Sequence, residues 1–164
     1  MTQMFPSIML LVPFYKILSV YGLNNSLVGL CIVYVSFTIP FCSWMMVGYF
    51  RTIPTEIDES AAIDGASHLQ TFWKIALPLV KPGLVSSAIY AFITCWNEYM
   101  FAAILLVNDK LKTAAVAIAE MNGYYKIAWN DMMAASLVAS VPLIIAFVFM
   151  QKSFISGLTA GAVK

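Results

Sequence analysis

The chain has 164 residues, of which 62% are hydrophobic and only 10% are charged, and its mean hydropathy is +0.86. Soluble domains have a smaller apolar share and about 25% charged residues, so this composition excludes an ordinary soluble protein and indicates a chain that lies in a lipid bilayer. The formal net charge of +1 provides no basic surface for nucleic acid.

Four apolar segments approach the roughly 20 residues that a helix needs to cross the hydrocarbon core of a bilayer. The predicted spans cover about residues 4–20, 27–50, 83–107 and 132–150. This pattern predicts an all-α, polytopic transmembrane helical protein that forms a single domain over residues 1–164.

The first predicted span is the weakest of the four, because Pro6 and Pro13 interrupt it and Lys16 lies close to its end. Neither Lys nor Arg precedes its apolar run, and no small-residue cleavage site follows it, which argues against a signal peptide. The second span, 27–50, contains Pro40 as a predicted kink and ends in an aromatic and cationic interface anchor.

The polar connection 51–82 predicts two short helices joined by a hinge. Thr55 is the predicted N-cap of the first helix, and Glu56 and Asp58 in its first turn suit the positive end of the helix dipole. Gly65 is the predicted end of this helix, because glycine adopts left-handed backbone angles without strain.

Ser67 and Gln70 have the spacing of a capping box, which predicts that a second helix begins there and ends before Pro78. The first helix carries small side chains that would let another protein approach its backbone closely, and these are Ser60, Ala61, Ala62 and Ala66. The connection is therefore predicted to be a docking element, although a capped surface helix without a docking role fits the same helix signals.

The third predicted span contains the run Trp96-Asn97-Glu98. Burying a carboxylate in a span costs about 3 kcal/mol unless it is paired or faces water. In one interpretation the three side chains line a solute path, with the indole stacked on an apolar face of the solute and the amide and carboxylate bonded to its hydroxyls. In the other interpretation Asn97 and Glu98 satisfy polar groups between packed helices. The sequence leaves both open.

Residues 108–131 predict an aqueous loop with a short helix around Thr113–Met121. The fourth span, 132–150, carries Pro142, and the tail that follows it is small and polar.

No catalytic or metal-binding pattern is present in the sequence. His68 is the only histidine, and the three cysteines, Cys31, Cys42 and Cys95, lie in apolar runs without a Cys-x-x-Cys spacing. No lysine follows a glycine, so the sequence has no phosphate-binding loop. The chain is predicted not to be an enzyme and to need no cofactor. If ATP drives its function, another subunit binds the nucleotide.

The polar connection also matches a longer pattern: a glutamate, two small residues, a glycine after three further residues, and Ile-x-Leu-Pro after nine more. This pattern resembles the cytoplasmic EAA loop in the permeases of ATP-binding cassette (ABC) importers, with a serine where the family usually has its first alanine. The resemblance implies that the loop is a coupling helix that seats in a cleft of the ATPase subunit. The residues that it assigns to coupling are Glu59, Ser60, Ala61, Asp64, Gly65, Ile75, Leu77 and Pro78.

Three further runs resemble the carbohydrate-uptake branch of these permeases, specifically the maltose-system-like inner-membrane subunit. They are residues 45–50 (MMVGYF), 96–99 (WNEY) and 157–164 (GLTAGAVK). The resemblance implies a permease for a sugar or related solute, with three partners: a second permease subunit, an ATP-binding cassette ATPase dimer and an extracytoplasmic solute-binding protein. It also implies alternating access, in which closure of the ATPases moves the coupling loop and the spans attached to it.

The orientation in the membrane follows from the resemblance, because five cations on the side of the loop against four on the other side barely favour either orientation. The resemblance implies a multi-pass protein of a prokaryotic plasma (inner) membrane, with the EAA loop and both termini in the cytoplasm. Family members usually have six spans, so the chain is expected to lack the first two, as a fragment or as a truncated gene.

Two alternatives stay open. The chain could be an importer permease for another solute, such as an amino acid or a peptide, or a truncated membrane protein that does not transport. Co-purification of an ATPase subunit would separate a permease from the second alternative.

Overall fold

The computed structural model describes residues 6–123 and 128–162, with side chains described as far as residue 148. Within these ranges the chain is helical and has no β-strand, which confirms the predicted all-α class. In chain order the elements are α1 Ser7–Val20, α2 Leu27–Phe50, α3 Thr55–Ile63, α4 His68–Thr71, a π-helical turn Phe72–Ala76, α5 Leu77–Leu79, α6 Lys81–Trp96, α7 Met100–Leu105, a 3-10 turn Asp109–Leu111, α8 Ala114–Glu120 and α9 Trp129–Ala162.

Two of the described helices are long and apolar enough to cross a bilayer, namely α2 and the stretch Trp129–Val148 of α9. A third candidate is a bent pair, in which the continuous helix His68–Leu79 meets α6 at an angle of 70°. The apolar helix α1 is shorter, with 14 residues. The predicted segment 27–50 coincides with α2, and the predicted segment 4–20 begins outside the described residues.

The predicted segment 83–107 is not one continuous helix, because α6 ends at Trp96 and α7 begins at Met100. In an uninterrupted helix the amides of Phe101 and Ala102 would donate to the backbone carbonyls four residues earlier. Here both donate to the carboxylate of Glu98 instead. A side chain that competes for backbone donors in this way ends a helix.

The last helix is longer than the predicted segment 132–150. It begins at Trp129 and continues to Ala162, so the segment predicted as a small, polar tail is helical as far as the structure describes it. No proline follows Pro142 in this stretch, so nothing removes a backbone donor there. The predicted helix around Thr113–Met121 is confirmed as α8.

The chain forms two compact units. The described part of the first comprises residues 6–40 and 92–145, and that of the second comprises residues 41–91 and 146–162. The first unit has a hydrophobic core of Leu18, Leu30, Val33, Phe101, Ala102, Leu105, Leu106 and Val116. Within it, Phe101 of α7 packs edge-on against Phe14 of α1 and tilted against Phe37 of α2, with ring centroids 6.1 and 5.0 Å apart. The short helix α7 is thereby fixed in the core.

In the second unit α2 and α6 pack closely. The ring of Tyr49 lies directly over Gly83, where an added Cβ would come within 2.4 Å of two ring carbons. The Tyr49 hydroxyl lies 3.4 Å from the Ser86 hydroxyl, and the rings of Phe41 and Tyr90 are 4.1 Å apart. Only glycine at position 83 allows this separation of the two helices.

Candidate functional site

The first helix of the polar connection, α3, starts differently from the prediction. Thr55 is its first helical residue, Pro54 occupies the N-cap with φ −61° and ψ 140°, and no side chain caps the helix. The prediction of Thr55 as a capping hydroxyl is therefore wrong, because the extended conformation of Pro54, whose φ is fixed by its ring, begins the helix. Glu56 and Asp58 lie in the first turn as predicted.

The other end of α3 closes around Gly65, whose φ is +77°. The Gly65 amide donates to the carbonyl of Ala62 at 3.0 Å, and the Ala66 amide donates to that of Ala61 at 2.9 Å. These two bonds form a Schellman motif, which requires a left-handed residue at this position. The predicted turn at Gly65 is confirmed.

The second helix begins with the predicted capping box. The backbone amide of Gln70 donates to the Ser67 hydroxyl at 3.3 Å, and the backbone amide of Ser67 donates to the side-chain oxygen of Gln70 at 2.9 Å. These reciprocal bonds satisfy two amides that would otherwise lack partners at a helix start.

The prediction that this helix ends before Pro78 is wrong, because it continues to Leu79. The π-helical turn Phe72–Ala76 lies immediately before the proline, and its last bond runs from the Leu77 amide to the Phe72 carbonyl, five residues back. A proline ring normally clashes with the carbonyl four residues earlier. The wider π turn relieves that clash and lets the helix pass through Pro78.

Most of the coupling residues that the sequence predicts are accessible. Glu59, Ser60, Asp64, Gly65 and Pro78 are exposed, and Ile75 and Leu77 are half-buried. Ala61 differs from the expectation of a small, accessible side chain, because it is buried at 5% exposure. Seven of the eight residues therefore offer surface to another molecule.

Three exposed apolar side chains in the loop were not singled out from the sequence. They are Ile63, Leu69 and Trp73, with 87%, 71% and 63% of their surface exposed. Large apolar residues within a polar connection are the sequence signal that could have identified them. We call them the apolar set.

The same loop is strongly acidic on its first helix. Glu56, Asp58, Glu59 and Asp64 lie between positions 55 and 66, where the sequence has no Lys or Arg. Beside α3, a groove of about 470 Å³ is lined by Phe50, Asp58, Ala62, Ala66, His68, Thr71, Phe72 and Ala76. The surface of the loop is thus acidic and apolar.

The loop contacts the preceding helix through a ring pair and continues directly into the following helix. The rings of Phe50, at the end of α2, and Phe72 stack with centroids 6.0 Å apart. Val80, between α5 and α6, is buried at 2% exposure. The loop therefore packs on the end of α2 and leads into α6 through a buried side chain.

The Trp96-Asn97-Glu98 run lies in the first unit, at the break between α6 and α7. The indole nitrogen of Trp96 donates to the Ala139 carbonyl at 3.1 Å, and its ring lies 5.4 Å from that of Phe92. The Asn97 side-chain nitrogen donates to the Ile93 carbonyl at 2.9 Å, and Asn97 is exposed.

Glu98 is partly buried and accepts three hydrogen bonds from within the chain. One carboxylate oxygen accepts from the Phe101 amide at 2.8 Å. The other accepts from the Ala102 amide at 3.1 Å and from the Tyr34 hydroxyl at 3.0 Å.

A pocket of about 250 Å³ adjoins Trp96 and Asn97 but not Glu98. Its lining combines one aromatic ring, one amide and two hydroxyls with small and apolar side chains: Trp96, Asn97, Ala114, Ala115, Ile118, Ser136, Ala139, Ser140 and Leu143. Ser136 and Ser140 donate their hydroxyl protons to backbone carbonyls at 2.7 Å, so their oxygens can still accept. None of the described residues that line this pocket is charged.

Lys112, in the connection after α7, pairs with one acid of that connection and one at the end of α8. The Lys112 ammonium lies 2.6 Å from an Asp109 carboxylate oxygen and 2.7 Å from one of Glu120. These contacts raise the pKa of Lys112, and its ammonium lowers the pKa of Asp109. Among the described residues, no three His, Cys, Asp or Glu side chains come together as metal ligands would.

Comparison with known proteins gives one family for nearly the whole chain. Residues 1–159 match the family described as the binding-protein-dependent transport system inner membrane component. The chain is 40% identical over 163 residues to a trehalose/maltose transport system permease protein of Thermococcus litoralis, covering 99% of this chain and 59% of that protein.

Two further relatives and one solved structure are similar. A maltodextrin transport system permease protein of Bacillus subtilis is 39% identical, with 99% of this chain and 59% of that protein covered. An inner membrane ABC transporter permease protein of Escherichia coli is 39% identical, with 98% and 58% covered. The crystal structure of a bacterial ABC transporter involved in the import of the acidic polysaccharide alginate contains a chain with a TM-score of 0.71 and 26% identity, over 87% of this chain and 55% of that chain.

Proposed function

Because the chain belongs to the family of binding-protein-dependent transport system inner membrane components, we propose that it is a membrane-spanning permease subunit of an ABC importer that takes up a sugar. The chain spans 58% to 59% of the three relatives named above, so the proposal concerns its part in a larger assembly. A permease subunit is not an enzyme, and ATP hydrolysis belongs to a partner ATPase.

The observation that carries the proposal is the acidic and apolar surface of the loop Thr55–Leu79. Exposed apolar side chains such as Ile63 and Trp73 lose water when a partner covers them, which favours association. The carboxylates of α3 attract a basic partner and exclude an acidic one. We propose that this loop seats in the ATPase subunit, with Glu59 opposite a cation.

The contacts of the loop support its role in coupling. Phe72 stacks on Phe50, and Gly83 lies against Tyr49, so the loop and the helix ends on either side of it form one packed body. Closure of the ATPase dimer would move this body and thereby α2 and α6. Such rigid-body displacements are a common way of converting a local change into alternating access.

The pocket beside Trp96 and Asn97 supports a sugar as the solute. An indole face stacks on the apolar face of a sugar ring, while amides and hydroxyls exchange hydrogen bonds with its hydroxyl groups. The lining has no charged side chain, which favours an uncharged solute. Two of the relatives are named as permeases for trehalose/maltose and maltodextrin.

The proposed assembly contains a second permease subunit, an ATPase dimer and an extracytoplasmic solute-binding protein. In the proposed topology α1, α2, the broken segment α6–α7 and α9 cross the inner membrane. The loop Thr55–Leu79 and both ends of the chain then lie in the cytoplasm. Cysteine labelling from each side of sealed vesicles, at Ser67→Cys and Lys110→Cys, tests this orientation, because the two sites should react from opposite sides.

The function is tested by uptake into proteoliposomes that contain the complete importer. The panel comprises radiolabelled maltose, trehalose, glutamine and a dipeptide, each with and without ATP inside. We expect saturable, ATP-dependent uptake of one of the two sugars. Uptake of only glutamine or only the dipeptide would replace the sugar by another solute. Failure of any ATPase subunit to co-purify would favour a membrane protein that does not transport.

Docking of the loop is tested by reversing one charge. Glu59→Lys should leave the chain in the membrane at normal levels but reduce co-purification of the ATPase subunit roughly tenfold, because a cation would face the cation of the partner. The matched control is Asp131→Lys, an equal reversal at an exposed residue of α9, which should leave co-purification unchanged. Equal retention of the ATPase by both variants would contradict docking through Glu59.

A further inference from the structure

From its sequence Glu98 is a candidate residue of the solute path, but in the structure its carboxylate already accepts hydrogen bonds from other groups of the chain. It accepts the amides of Phe101 and Ala102 at 2.8 and 3.1 Å and the hydroxyl of Tyr34 at 3.0 Å. Hydrogen bonds to an ionised acceptor are stronger than neutral ones. All three donors belong to this chain, so these hydrogen bonds offset the free-energy cost of burying the carboxylate without a ligand.

These three bonds join separate elements at one point. Two of them hold the first turn of α7, whose Phe101 and Ala102 are buried in the core of the first unit at 2% and 0% exposure. The third reaches α2 through Tyr34, which is 64 positions away along the chain. The carboxylate therefore fixes how the chain turns between the end of α6 and the start of α7.

Glu98 fixes the turn between α6 and α7, and this turn contains Asn97. Trp96 is the last residue of α6 and directly precedes Asn97. Both line the uncharged pocket, whereas Glu98 does not. Trp96 is held separately by its bond to the Ala139 carbonyl. Among the residues that the structure describes, the Asn97 side chain bonds only to the Ile93 carbonyl one turn earlier, so its place at the pocket depends on the backbone of the turn.

We propose that Glu98 is a positioning residue for solute uptake: its carboxylate holds the break between α6 and α7, keeps Asn97 at the pocket and does not contact the solute. This inference rests on the proposed function for its transport consequence. Its structural part, the bonds of the carboxylate to α7 and Tyr34, stands independently of the solute.

The structural part is tested by hydrogen–deuterium exchange on the purified importer, followed in peptides that cover residues 97–106. Glu98→Ala removes both acceptors of the α7 amides, so Phe101 and Ala102 should exchange roughly tenfold faster, equivalent to about 1.4 kcal/mol of lost protection. Tyr34→Phe removes only the bond to α2 and should leave these two amides protected. Unchanged exchange in Glu98→Ala would overturn the proposal.

The transport part is tested with the same variants and radiolabelled maltose, or trehalose if the panel above selects it. A displaced Asn97 weakens solute binding, so Glu98→Ala should raise the half-saturation concentration roughly tenfold while the maximal rate falls less. Glu98→Gln keeps one carbonyl oxygen as an acceptor and should lie between the parent and Glu98→Ala in both exchange and half-saturation. If Glu98→Ala does not reach the membrane, Glu98→Gln takes its place as the test variant, and Tyr34→Phe stays the variant whose two amides remain protected.

The outcomes separate the possible roles of the carboxylate. If Glu98→Gln transports as poorly as Glu98→Ala while its amides stay protected, the charge acts on the solute and the positioning role is wrong. Faster exchange with unchanged half-saturation would make Glu98 purely structural and would also overturn the proposal. Uptake of an amino acid instead of a sugar would contradict the proposed function alone. Matched controls are Tyr15→Phe and Glu120→Gln, at an exposed tyrosine of α1 and an exposed glutamate of α8, which should change neither quantity.

Discussion

Gly65 is a residue whose left-handed backbone conformation forms the turn between α3 and α4. Its φ is +77°, and among the described residues other than its chain neighbours no atom would lie within 4 Å of an added Cβ. Gly65→Val therefore tests backbone strain without an internal clash, at an expected cost of about 1–3 kcal/mol. We expect normal membrane levels of this variant but a loss of solute-stimulated ATP hydrolysis, measured as phosphate release by the reconstituted importer.

Two controls separate strain from added bulk. Gly48→Val also places its Cβ where no atom lies within 4 Å, and Gly48 has no positive φ, so it should stay coupled. Gly65→Asn adds a side chain of similar size that tolerates the left-handed region, so it should retain most of the activity. Equal loss in Gly65→Asn and Gly65→Val would assign the defect to bulk at the interface instead of backbone strain.

At the scale of elements, the packing of α2 on α6 depends on the absence of one side chain. A methyl group at Gly83 would come within 2.4 Å of the Tyr49 ring, so Gly83→Ala should lower the stability of the importer by about 1–3 kcal/mol through overpacking. The measurement is its thermal inactivation in detergent. The double variant Gly83→Ala with Tyr49→Leu removes the ring that clashes and should recover part of the loss. Additive losses in the double variant would contradict this contact.

The elements also show what the sequence could predict. The capping box Ser67–Gln70, the turn at Gly65 and the bounds of α2 depend on residues that are close in the chain, and the structure confirms them. The passage of a helix through Pro78 depends on a π turn that no local pattern indicates. The sequence predicts Thr55 as the N-cap of α3, whereas Pro54 occupies that position in the structure. Both residues are plausible beginnings of a helix, so the local sequence does not decide between them.

The candidate solute site shows why the break after Trp96 and the lining of the pocket could not be predicted from the sequence. The break after Trp96 requires Glu98 to take two amides of α7, and Tyr34 completes the arrangement from a distant part of the sequence. The pocket beside Asn97 likewise uses Ser136 and Ser140 from the last helix. The sequence singles out Trp96, Asn97 and Glu98 but predicts one continuous span there, and the contacts that give each residue its place come from tertiary packing.

At the scale of the whole molecule, this 164-residue sequence shows no phosphate-binding loop of the P-loop type. The sequence contains no lysine after a glycine, and such a lysine is part of the loop that holds nucleotide phosphates in P-loop ATPases. The purified chain should therefore release no phosphate from ATP above the buffer rate, whereas the complete importer should do so. A nucleotide-dependent rate from the chain alone, after removal of traces of partner ATPase, would contradict the permease assignment.

The apolar set of the loop has a consequence for the cell. In the importer that we propose, a partner would cover Ile63, Leu69 and Trp73, but before assembly these side chains are 87%, 71% and 63% exposed. Chaperones and proteases recognise exposed apolar segments of this kind. A copy without its ATPase would therefore be degraded sooner than an assembled one, and the supply of the ATPase would set how much of this subunit persists.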